Sequence, residues 1–386
     1  MSSFSTLGGG GGGLTWEEIK QKLESEGAKN KAYDSDVDGI IDLKALVPYI
    51  LNWINNYKVY PTFVHDIETG EIIESVNNPT LEPGASGEWD DRCVGWQRIL
   101  YDRDQGLYIM LYTGQNASTG RVQVGIATSE DGETWEKHPD NPFLTPGAAS
   151  EWDSSNVAEA DVIKRGDEYW IYYNGSTTAA SWGSIGLCKA TDILDKTTWT
   201  KYAGNPILTP GPASSWDDDR IGQPRVFWWN GMWCMLYTGY DGSVDRIGAA
   251  YSLDGENWTK SAANPLIDLG AAGAWDDTGV TIPVPIPQIS LGKSILVAYE
   301  GYDGTNKRGG FAVLPDFPDA EAIKHPDNPI IELGPAGSWN DTQNRVSQIW
   351  IGKELNKWRI ELTSRSSTVI QHIGVAYVDI VRSLGL

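Results

Sequence analysis

Cysteine and histidine are scarce in this 386-residue chain, and no long apolar run is present. The three cysteines, Cys93, Cys188 and Cys234, are an odd number and give no disulfide framework, so we expect buried free thiols. No segment is long and apolar enough to cross a bilayer. We therefore expect neither a disulfide-stapled module nor insertion into a membrane.

Basic residues are also in the minority. The chain has 30 lysines and arginines against 52 acidic residues, a formal net charge of −22. Such an excess repels polyanions, so binding to nucleic acid is not expected. The N-terminus lacks the basic and apolar regions of a secretory signal. We expect a cytoplasmic protein if the source is cellular, and otherwise an extracellular or virion-associated protein that uses no signal peptide.

One long pattern recurs five times along the chain. It begins with Asn-Pro, continues through Leu or Ile and a Gly, and ends at a tryptophan. The asparagines are Asn78, Asn141, Asn205, Asn264 and Asn328, and the tryptophans are Trp89, Trp152, Trp216, Trp275 and Trp339. A fixed period of this length indicates one supersecondary unit stacked repeatedly, because a single unit cannot bury its own apolar face.

Each repeat reads as four antiparallel strands. In the third copy, residues 221–229 and 232–239 are apolar runs joined by Asn230-Gly231, which is a strong hairpin signal. A third run follows, and a fourth strand is expected to carry Trp258. The second copy repeats this order and ends in a strand expected to carry Trp199. Four strands with no intervening helix are typical of a propeller blade.

The two ends of the repeat region complement one another. The last repeat ends with a third strand at residues 373–377, and its fourth strand is missing. Residues 71–74 read as a fourth strand that has no repeat of its own. We expect residues near 71–80 to complete the last blade, which leaves no exposed sheet edge. The sequence therefore predicts an all-β, five-bladed β-propeller over residues 59–386.

The first 58 residues form a separate appendage. Residues 1–14 include six consecutive glycines and predict a flexible tether. Residues 15–58 predict a small helical segment, because Thr15 and Glu18 have capping-box spacing and Trp16, Ile19 and Leu23 share one helix face. Helices this small cannot build a core alone. We expect residues 1–58 to attach the protein to other subunits or to copies of itself, giving a homo-oligomer.

An acidic loop lies inside this segment. Alternating carboxylates followed by Gly39 are the first half of a calcium loop, because the acidic oxygens converge and the glycine permits a sharp turn. The twelfth position of such a loop needs a bidentate carboxylate and holds Ala45. A solvated acidic turn is the alternative. The candidate calcium ligands are Asp34, Asp36, Asp38 and Asp42.

Over residues 72–386 the repeat resembles the five-bladed propellers of the glycoside hydrolase superfamily. Residues 128–135 (Thr-Ser-Glu-Asp-Gly-Glu-Thr-Trp) and 251–258 (Tyr-Ser-Leu-Asp-Gly-Glu-Asn-Trp) are typical of it. That superfamily includes family 43 arabinanases and xylosidases, invertases, levansucrases and family 130 mannoside phosphorylases. Separately, residues 30–42 are similar to short acidic modules of phage tail fibres. The resemblance implies a fold and a carbohydrate ligand, whereas activity depends on the residues of the site.

The resemblance implies catalytic carboxylates on the innermost strands of different blades. Glycoside hydrolysis needs two, one to protonate the leaving oxygen and one to activate water or attack the sugar. The position seven residues after each repeat tryptophan holds Trp96, Glu159, Gln223, Ile282 and Val346. The position nine residues after it holds Arg98, Asp161, Arg225, Val284 and Gln348.

These positions depart from the hydrolase pattern in three blades. Only the second blade supplies carboxylates, Glu159 and Asp161. Trp96 stands where the resemblance implies a base or nucleophile, and Gln223 stands where it implies a glutamate beside a proline. The last inner strand also lacks the histidine that arabinanases use near a central ion, since His372 falls on a third strand. We therefore expect no hydrolysis.

Other charged residues at the inner strands have a structural interpretation. Aspartates recur just before every inner strand, so we expect them to bond turn amides. Arg98, Asp161 and Arg225 are interpreted as an ion-pair girdle between blades, or alternatively as a grip on a ligand carboxylate or sugar hydroxyls. The recurrent aspartates are Asp90, Asp91, Asp153, Asp217, Asp218, Asp219, Asp276, Asp277 and Asp341.

Our hypothesis is a non-catalytic propeller that recognises a carbohydrate or cell-surface glycan, displayed on a virion fibre or appendage and requiring no cofactor. Two alternatives stay open. One is an active glycoside hydrolase with Glu159 or Asp161 as an essential acid, and the other is a purely structural module. The candidate ligand contacts are Trp96, Arg98, Glu159, Asp161, Gln223 and Arg225.

Overall fold

The computed structural model describes residues 68–178, 182–291, 293–351, 357–366 and 371–382. The predicted tether and helical segment, with the acidic loop, lie outside these residues. Within the described ranges the regular secondary structure is β-strand, apart from one 3-10 turn at Lys196–Thr198. No helix in that part of the chain has the length and apolarity needed to cross a membrane.

The strands assemble into four-stranded antiparallel units that follow the sequence repeat. Three units are separate sheets, and the last two are joined into one sheet by a single parallel pair, Lys307 with Gln343. The units are, first, β2 (Cys93–Asp102), β3 (Leu107–Gln115), β4 (Val122–Ser129) and β5 (Glu136–Lys137); second, β6 (Asn156–Arg165), β7 (Glu168–Ser176), β8 (Ser184–Ala190) and β9 (Thr200–Lys201); third, β10 (Arg220–Trp229), β11 (Met232–Tyr240), β12 (Asp245–Ser252) and β13 (Thr259–Lys260); fourth, β14 (Gly279–Leu291), β15 (Ser294–Tyr302), β16 (Lys307–Leu314) and β17 (Ile323–Lys324); fifth, β18 (Gln343–Ile351), β19 (Lys357–Arg365), β20 (Gln371–Arg382) and β1 (Glu68–Glu74).

The first strands of the units close a circle. Strand β2 contacts β6, β6 contacts β10, β10 contacts β14, β14 contacts β18, and β18 contacts β2. An apolar cluster lies between each pair of neighbouring units, such as Ile109 and Leu111 of the first unit against Val157 and Ile171 of the second. Each sheet therefore buries its faces against its neighbours, which is the packing of a β-propeller.

The two ends of the repeat region pair as the sequence predicts. Strand β1 pairs antiparallel with β20 and supplies the fourth strand of the fifth unit. It spans Glu68–Glu74, whereas the sequence predicted a segment near residues 71–80. The observed strand therefore begins three residues earlier than predicted and also ends earlier. Asn78 then bonds the same strand: the Val375 N–H donates to Asn78 Oδ1 at 2.8 Å, and Asn78 Nδ2 donates to Val375 O at 2.8 Å.

The recurrent asparagine makes this pair of bonds in every unit. In the first unit the Ile126 N–H donates to Asn141 Oδ1 at 2.7 Å, and Asn141 Nδ2 donates to Ile126 O at 2.8 Å. Asn205, Asn264 and Asn328 bond Leu187, Ala249 and Phe311 in the same way. The side-chain amide thus satisfies a third-strand N–H and C=O where the short fourth strand does not reach.

The recurrent aspartates have structural partners, but the first aspartate of the first four repeats binds side chains and only the next one bonds a turn amide as predicted. Asp276 is buried, and its Oδ2 accepts from the Tyr299 hydroxyl at 3.0 Å and from Lys324 Nζ at 2.6 Å. Asp90, Asp153 and Asp217 bind a tyrosine and a lysine of their own units in the same manner. The following aspartate accepts from a turn amide, as Asp277 does from the Gly273 N–H at 2.7 Å.

Two tryptophans that were predicted to lie on fourth strands lie outside them. Trp258 precedes β13, and Trp199 precedes β9, so neither is carried by a fourth strand. The indole of Trp258 donates to Gly255 O at 3.0 Å, and that of Trp199 donates to Ile193 O at 3.2 Å. Each tryptophan therefore closes the turn that leads into the fourth strand, and the strand itself is only two residues long.

We predict that Asp276→Ala lowers the free energy of unfolding by about 3 kcal/mol, because the Tyr299 hydroxyl and the Lys324 ammonium lose their acceptor in a buried position. Asp277→Ala removes two exposed bonds, from the Gly273 N–H and the Thr278 hydroxyl, and should cost about 1 kcal/mol. Urea unfolding followed by tryptophan fluorescence measures both. Equal losses in the two variants would contradict the structural role assigned to Asp276.

Candidate functional site

A bulge interrupts the first strand of each unit at the same repeat position. The pairing register shifts between Gly95 and Arg98 in the first unit and between Ala158 and Asp161 in the second, and the other units shift at the equivalent place. In four units the bulged residue has a positive φ that non-glycine residues rarely adopt. These residues are Trp96 (50°), Glu159 (53°), Gln223 (56°) and Ile282 (49°). A bulge re-aims side chains, and here it acts at the ring of first strands.

The preceding unit holds each of these bulges in place. The Trp96 N–H donates to Thr363 Oγ1 at 2.7 Å, and the Glu159 N–H donates to Thr113 Oγ1 at 2.7 Å. The Gln223 N–H donates to Asn174 Oδ1 at 3.1 Å. These three strained amides are therefore satisfied by the second strand of the preceding unit, whereas the Ile282 N–H donates to Gln223 Oε1 on the first strand of the preceding unit at 3.0 Å. Their conformation depends on assembly of the whole ring.

Glu159 lies completely buried at this ring. Its Oε2 accepts from Asn174 Nδ2 at 3.3 Å, and its Oε1 accepts from Gln223 Nε2 at 3.5 Å. Burial raises the pKa of Glu159 to about 7, although Arg225 acts in the opposite direction. Glu159 is thus a carboxyl group that still carries its proton close to neutral pH.

Both carboxylate oxygens of Asp161 are used in contacts with neighbouring units. Its Oδ1 accepts from Arg98 Nε at 2.6 Å, which links the first two units, and its Oδ2 accepts from the Val226 N–H of the third unit at 2.6 Å. Gln348 occupies the same repeat position in the fifth unit and accepts from the Ile99 N–H at 2.7 Å. This position therefore fastens one unit to the next.

Arg225 is fully buried near Arg98 and Asp161 but forms no ion pair among the described residues. Its Nη1 donates to Pro224 O at 2.9 Å, and its Nε and Nη2 have no partner in that part of the chain. Burial lowers the pKa of Arg225 to about 10, and the nearby Arg98 acts in the same direction. The expected girdle is thus formed by Arg98 and Asp161 without a direct contact from Arg225.

The fourth and fifth units add two charged residues that sequence analysis missed. Glu300 on β15 is buried and accepts from Lys307 Nζ at 2.7 Å and from Thr281 Oγ1 at 2.8 Å. Arg345 on β18 places its Nε 3.3 Å from Glu300 Oε2. Burial favours the neutral form of Glu300, but Lys307 and Arg345 outweigh it and hold the pKa below the ordinary value.

Arg345 connects these residues to the rest of the site. Its guanidinium carbon lies 5.3 Å from the centre of the Trp96 ring, and its charge also acts on Glu159. Glu159 contacts Gln223, and Arg345 contacts Glu300 and Trp96. Since the charge of Arg345 also reaches Glu159, each unit contributes one side chain to this region. We call this group the axial cluster: Trp96, Glu159, Gln223, Glu300 and Arg345.

An aromatic patch lies beside the cluster at the start of β10. Trp182 packs against Gly222, where an added Cβ would stand 2.8 Å from the Trp182 Cβ. The guanidinium carbon of Arg220 lies 3.8 Å from the centre of the Tyr240 ring and 5.5 Å from that of Trp182. Aromatic faces of this kind suit stacking against the apolar face of a sugar ring.

The sequence contained a signal for both missed residues. Glu300 stands just before a glycine that recurs in the first four units and is a serine in the fifth. The residues at the position of Glu300 in the other units are Thr113, Asn174, Thr238 and Thr363. Arg345 stands six residues after the repeat tryptophan, where the others have Gly95, Ala158, Gly222 and Thr281. Each is a lone charged residue at a position that is otherwise uncharged. Both lie outside the positions seven and nine residues after the repeat tryptophan.

Other candidate residues stay predictions. Asp34, Asp36, Asp38 and Asp42 lie outside the described residues, so calcium binding there is untested. Within the described part of the chain, no group of three or more His, Cys, Asp and Glu side chains is arranged to hold a metal ion. Cys93, Cys188 and Cys234 are free thiols, the last two fully buried.

Comparison with known proteins gives a distant relative and a shared fold. No family model matches the chain. An uncharacterized protein of Mycobacterium tuberculosis (strain H37Rv) is 28% identical over 255 residues, which cover 64% of this chain and 79% of that protein.

Solved structures resemble the whole propeller region. A structure described as a glycoside hydrolase superimposes with a TM-score of 0.63 at 14% identity and covers 83% of this chain and 95% of its own. The β-1,2-mannobiose phosphorylase from Listeria innocua, solved with β-1,2-mannobiose, gives a TM-score of 0.60 at 14% identity and covers 81% and 97%. At these identities the likeness establishes a glycoside-hydrolase-like propeller fold, and the chemistry must be argued from the residues.

The raised pKa of Glu159 predicts a specific pH dependence of stability. Because the folded protein holds this proton up to about pH 7 and the unfolded chain releases it near pH 4.5, the contribution is complete at low pH. It is lost as the pH rises from about 4.5 to about 7, by roughly 3 kcal/mol in total. Glu159→Gln cannot ionise, so wild type should lose stability relative to this variant over that range.

Urea unfolding of both proteins at several pH values measures the effect. Glu300→Gln is the contrasting variant, because Glu300 is also a buried glutamate but Lys307 and Arg345 hold its pKa below the ordinary value, so wild type should not lose stability relative to it over this range. Parallel profiles for wild type and Glu159→Gln would show that Glu159 is not protonated in the folded protein.

Proposed function

We propose that this chain is a five-bladed propeller that binds a glycan at its axis and cleaves a glycosidic bond there. The observation that carries the proposal is Glu159, a fully buried carboxyl group with a raised pKa on a strained bulge at the ring of first strands. Strain and perturbed pKa values concentrate at functional sites. The four-stranded units are taken as the blades, and a fold shared with glycoside hydrolases supports this interpretation.

The two buried glutamates of the cluster have opposite electrostatic environments. Burial raises the pKa of Glu159, whereas Lys307 and Arg345 keep that of Glu300 low despite its burial. A pair of carboxyl groups with separated pKa values supplies one acid and one ionised partner at the same pH. This is the combination that glycoside cleavage requires.

In the proposed reaction Glu159 donates its proton to the glycosidic oxygen as the bond to the anomeric carbon breaks. The bonding electron pair leaves with that oxygen. Glu300, held ionised, stabilises the positive charge on the sugar and takes a proton from the water that adds its oxygen to the anomeric carbon. Trp96, Trp182 and Tyr240 would provide stacking faces for the sugars.

Glycan binding without cleavage is the second candidate. It is favoured by the residues at the bulges of the first, third and fourth units, where Trp96, Gln223 and Ile282 carry no acid. It is also favoured by the commitment of Asp161 to Arg98 and the Val226 N–H. In this interpretation the buried charges only support a binding surface that Trp96 dominates.

We predict that wild type releases reducing ends from at least one member of a panel of arabinans, xylans, fructans and mannosides. Glu159→Gln should reduce the rate at least about 100-fold, because general acid catalysis contributes that much or more. The wild-type rate should fall as the pH rises through about 7, where Glu159 loses its proton. Product analysis by chromatography measures both.

Glu361→Gln is the control and should keep most of the activity, because Glu361 is also a buried glutamate but pairs with Arg359 at 2.6 Å and is not part of the axial cluster. Absence of product from every polysaccharide, together with glycan-array binding that Trp96→Ala abolishes, would overturn cleavage in favour of recognition. Activity that survives in Glu159→Gln would remove Glu159 from the role of acid.

The setting of the propeller is also a proposal. We propose that residues 15–58 join copies of the chain or dock it in a virion appendage, since the small amphipathic helical segment predicted there needs a partner to bury its apolar face. Ile19→Asp combined with Leu23→Asp in the full-length chain should then convert an oligomer to a monomer. Light scattering after gel filtration measures the mass, and a wild-type monomer would contradict oligomerisation through this segment.

A further inference from the structure

Three N–H donors beside the first strand of the first unit are buried and have no hydrogen-bond acceptor among the described residues. They are Trp96 Nε1, Arg345 Nε and Gln371 Nε2. Arg345 is 5% exposed and Gln371 is 7% exposed. Because buried donors nearly always find a partner in folded proteins, three together indicate a place that an acceptor occupies when it is bound.

The three residues form one group at the junction of the fifth and first units. The Arg345 guanidinium carbon lies 5.3 Å from the centre of the Trp96 ring, and Arg345 Nη2 donates to Gln371 Oε1 at 3.4 Å. The amide of Gln371 occupies the space beside Gly95, where an added Cβ would stand 2.4 Å from Gln371 Nε2. Gly95 thus makes room for the Gln371 amide next to Trp96.

The charges around this group favour an anion. Burial raises the pKa of the neighbouring Cys93 thiol, Arg92, Arg345 and Arg365 act on it in the opposite direction, and Asp90 acts with the burial, so three cations and one anion lie within electrostatic range of one point. Within the described ranges neither Arg92 nor Arg365 pairs with a carboxylate. Arg345 does face Glu300 Oε2 at 3.3 Å, without the alignment of a hydrogen bond. The attraction is local, since the chain as a whole carries a net charge of −22.

We propose that Trp96, Arg345 and Gln371 form a subsite for a carboxylate-bearing sugar, a uronic acid residue of the glycan. A uronate uses both features of the group, because its carboxylate accepts from the arginine and amide donors while its ring stacks on the indole. Inorganic phosphate would use the donors and leave the aromatic face empty. The position of this sugar next to Glu159 rests on the proposed function.

Calorimetric titration of the full-length Glu159→Gln protein tests the inference without turnover. The probes are two matched pairs: oligogalacturonate against neutral galacto-oligosaccharide, and glucuronate-substituted against unsubstituted xylo-oligosaccharide. We expect at least one uronate to bind 10-fold or more tightly than its neutral counterpart. Equal affinity within both pairs would overturn the subsite, as would binding of inorganic phosphate in place of both uronates.

Two variants assign the preference to these residues. Trp96→Phe keeps an aromatic face and removes the indole N–H, and Gln371→Met removes the amide. Gln371→Met should weaken uronate binding about 5- to 10-fold and leave the neutral affinity unchanged, and Trp96→Phe should lower the ratio of uronate to neutral affinity by a similar factor. Trp135→Phe is the matched control, because its indole Nε1 is also buried without a partner but belongs to the apolar cluster that packs the first unit. Thermal melts of all variants establish that they fold, and an unchanged ratio of uronate to neutral affinity in both variants would overturn the assignment.

The outcomes separate this inference from the proposed function. Uronate preference in a wild-type protein that cleaves nothing would support the subsite and overturn cleavage. Cleavage of neutral glycans with no uronate preference would do the reverse.

Discussion

In each unit an asparagine side chain takes the place of a strand partner. Its amide binds both the N–H and the C=O of one third-strand residue, as Asn141 does with Ile126. The same interaction joins the two ends of the chain, since Asn78 binds Val375 next to the pairing of β1 with β20. An open ring would expose the edge of β20 and separate the fifth unit from the first. The axial cluster depends on this closure, because it takes one side chain from each unit.

The geometry of the cluster follows from the bulges on the first strands. A bulged residue with a positive φ is unfavourable by itself, and an acceptor on the neighbouring unit satisfies its amide. Thr113 holds the Glu159 bulge, and Thr363 holds the Trp96 bulge. The same arrangement, a bulge whose N–H bonds the neighbouring unit, therefore positions both the candidate acid and the candidate stacking residue. Strain at these positions is tolerated because five interlocked units fix them together.

The chemistry of the cluster is decided by surroundings more than by residue type. Glu159 and Glu300 are both buried glutamates, yet only Glu159 is expected to keep its proton near neutral pH. Its neighbours are the amides of Asn174 and Gln223, whereas Glu300 contacts Lys307 and lies near Arg345. Asp161 is taken out of this chemistry by Arg98. An acid and an ionised partner thus arise from unequal pairing within one ring.

Much of the fold could be predicted from the sequence. The Asn-Pro to tryptophan repeat predicted the four-stranded units. The Asn230-Gly231 pair predicted a hairpin, and the unpartnered segment before the first repeat predicted the strand that completes the fifth unit. Local patterns misplaced Trp199 and Trp258, because an aromatic residue in a polar stretch can either extend a strand or close a turn. The structural role of Asp276 was also predictable, since it recurs with the repeat. Glu300 and Arg345 were missed because they do not recur.

The sequence by itself determined which unit is repeated and that its ends must pair, because both are encoded in patterns local to the chain. Only the tertiary structure decided which side chains meet at the axis. Glu159 and Glu300 are separated by more than two repeats, and Arg345 faces Trp96 across the closure of the ring. Their contacts and protonation states depend on burial and on charges from other units, and these exist only once the ring has closed.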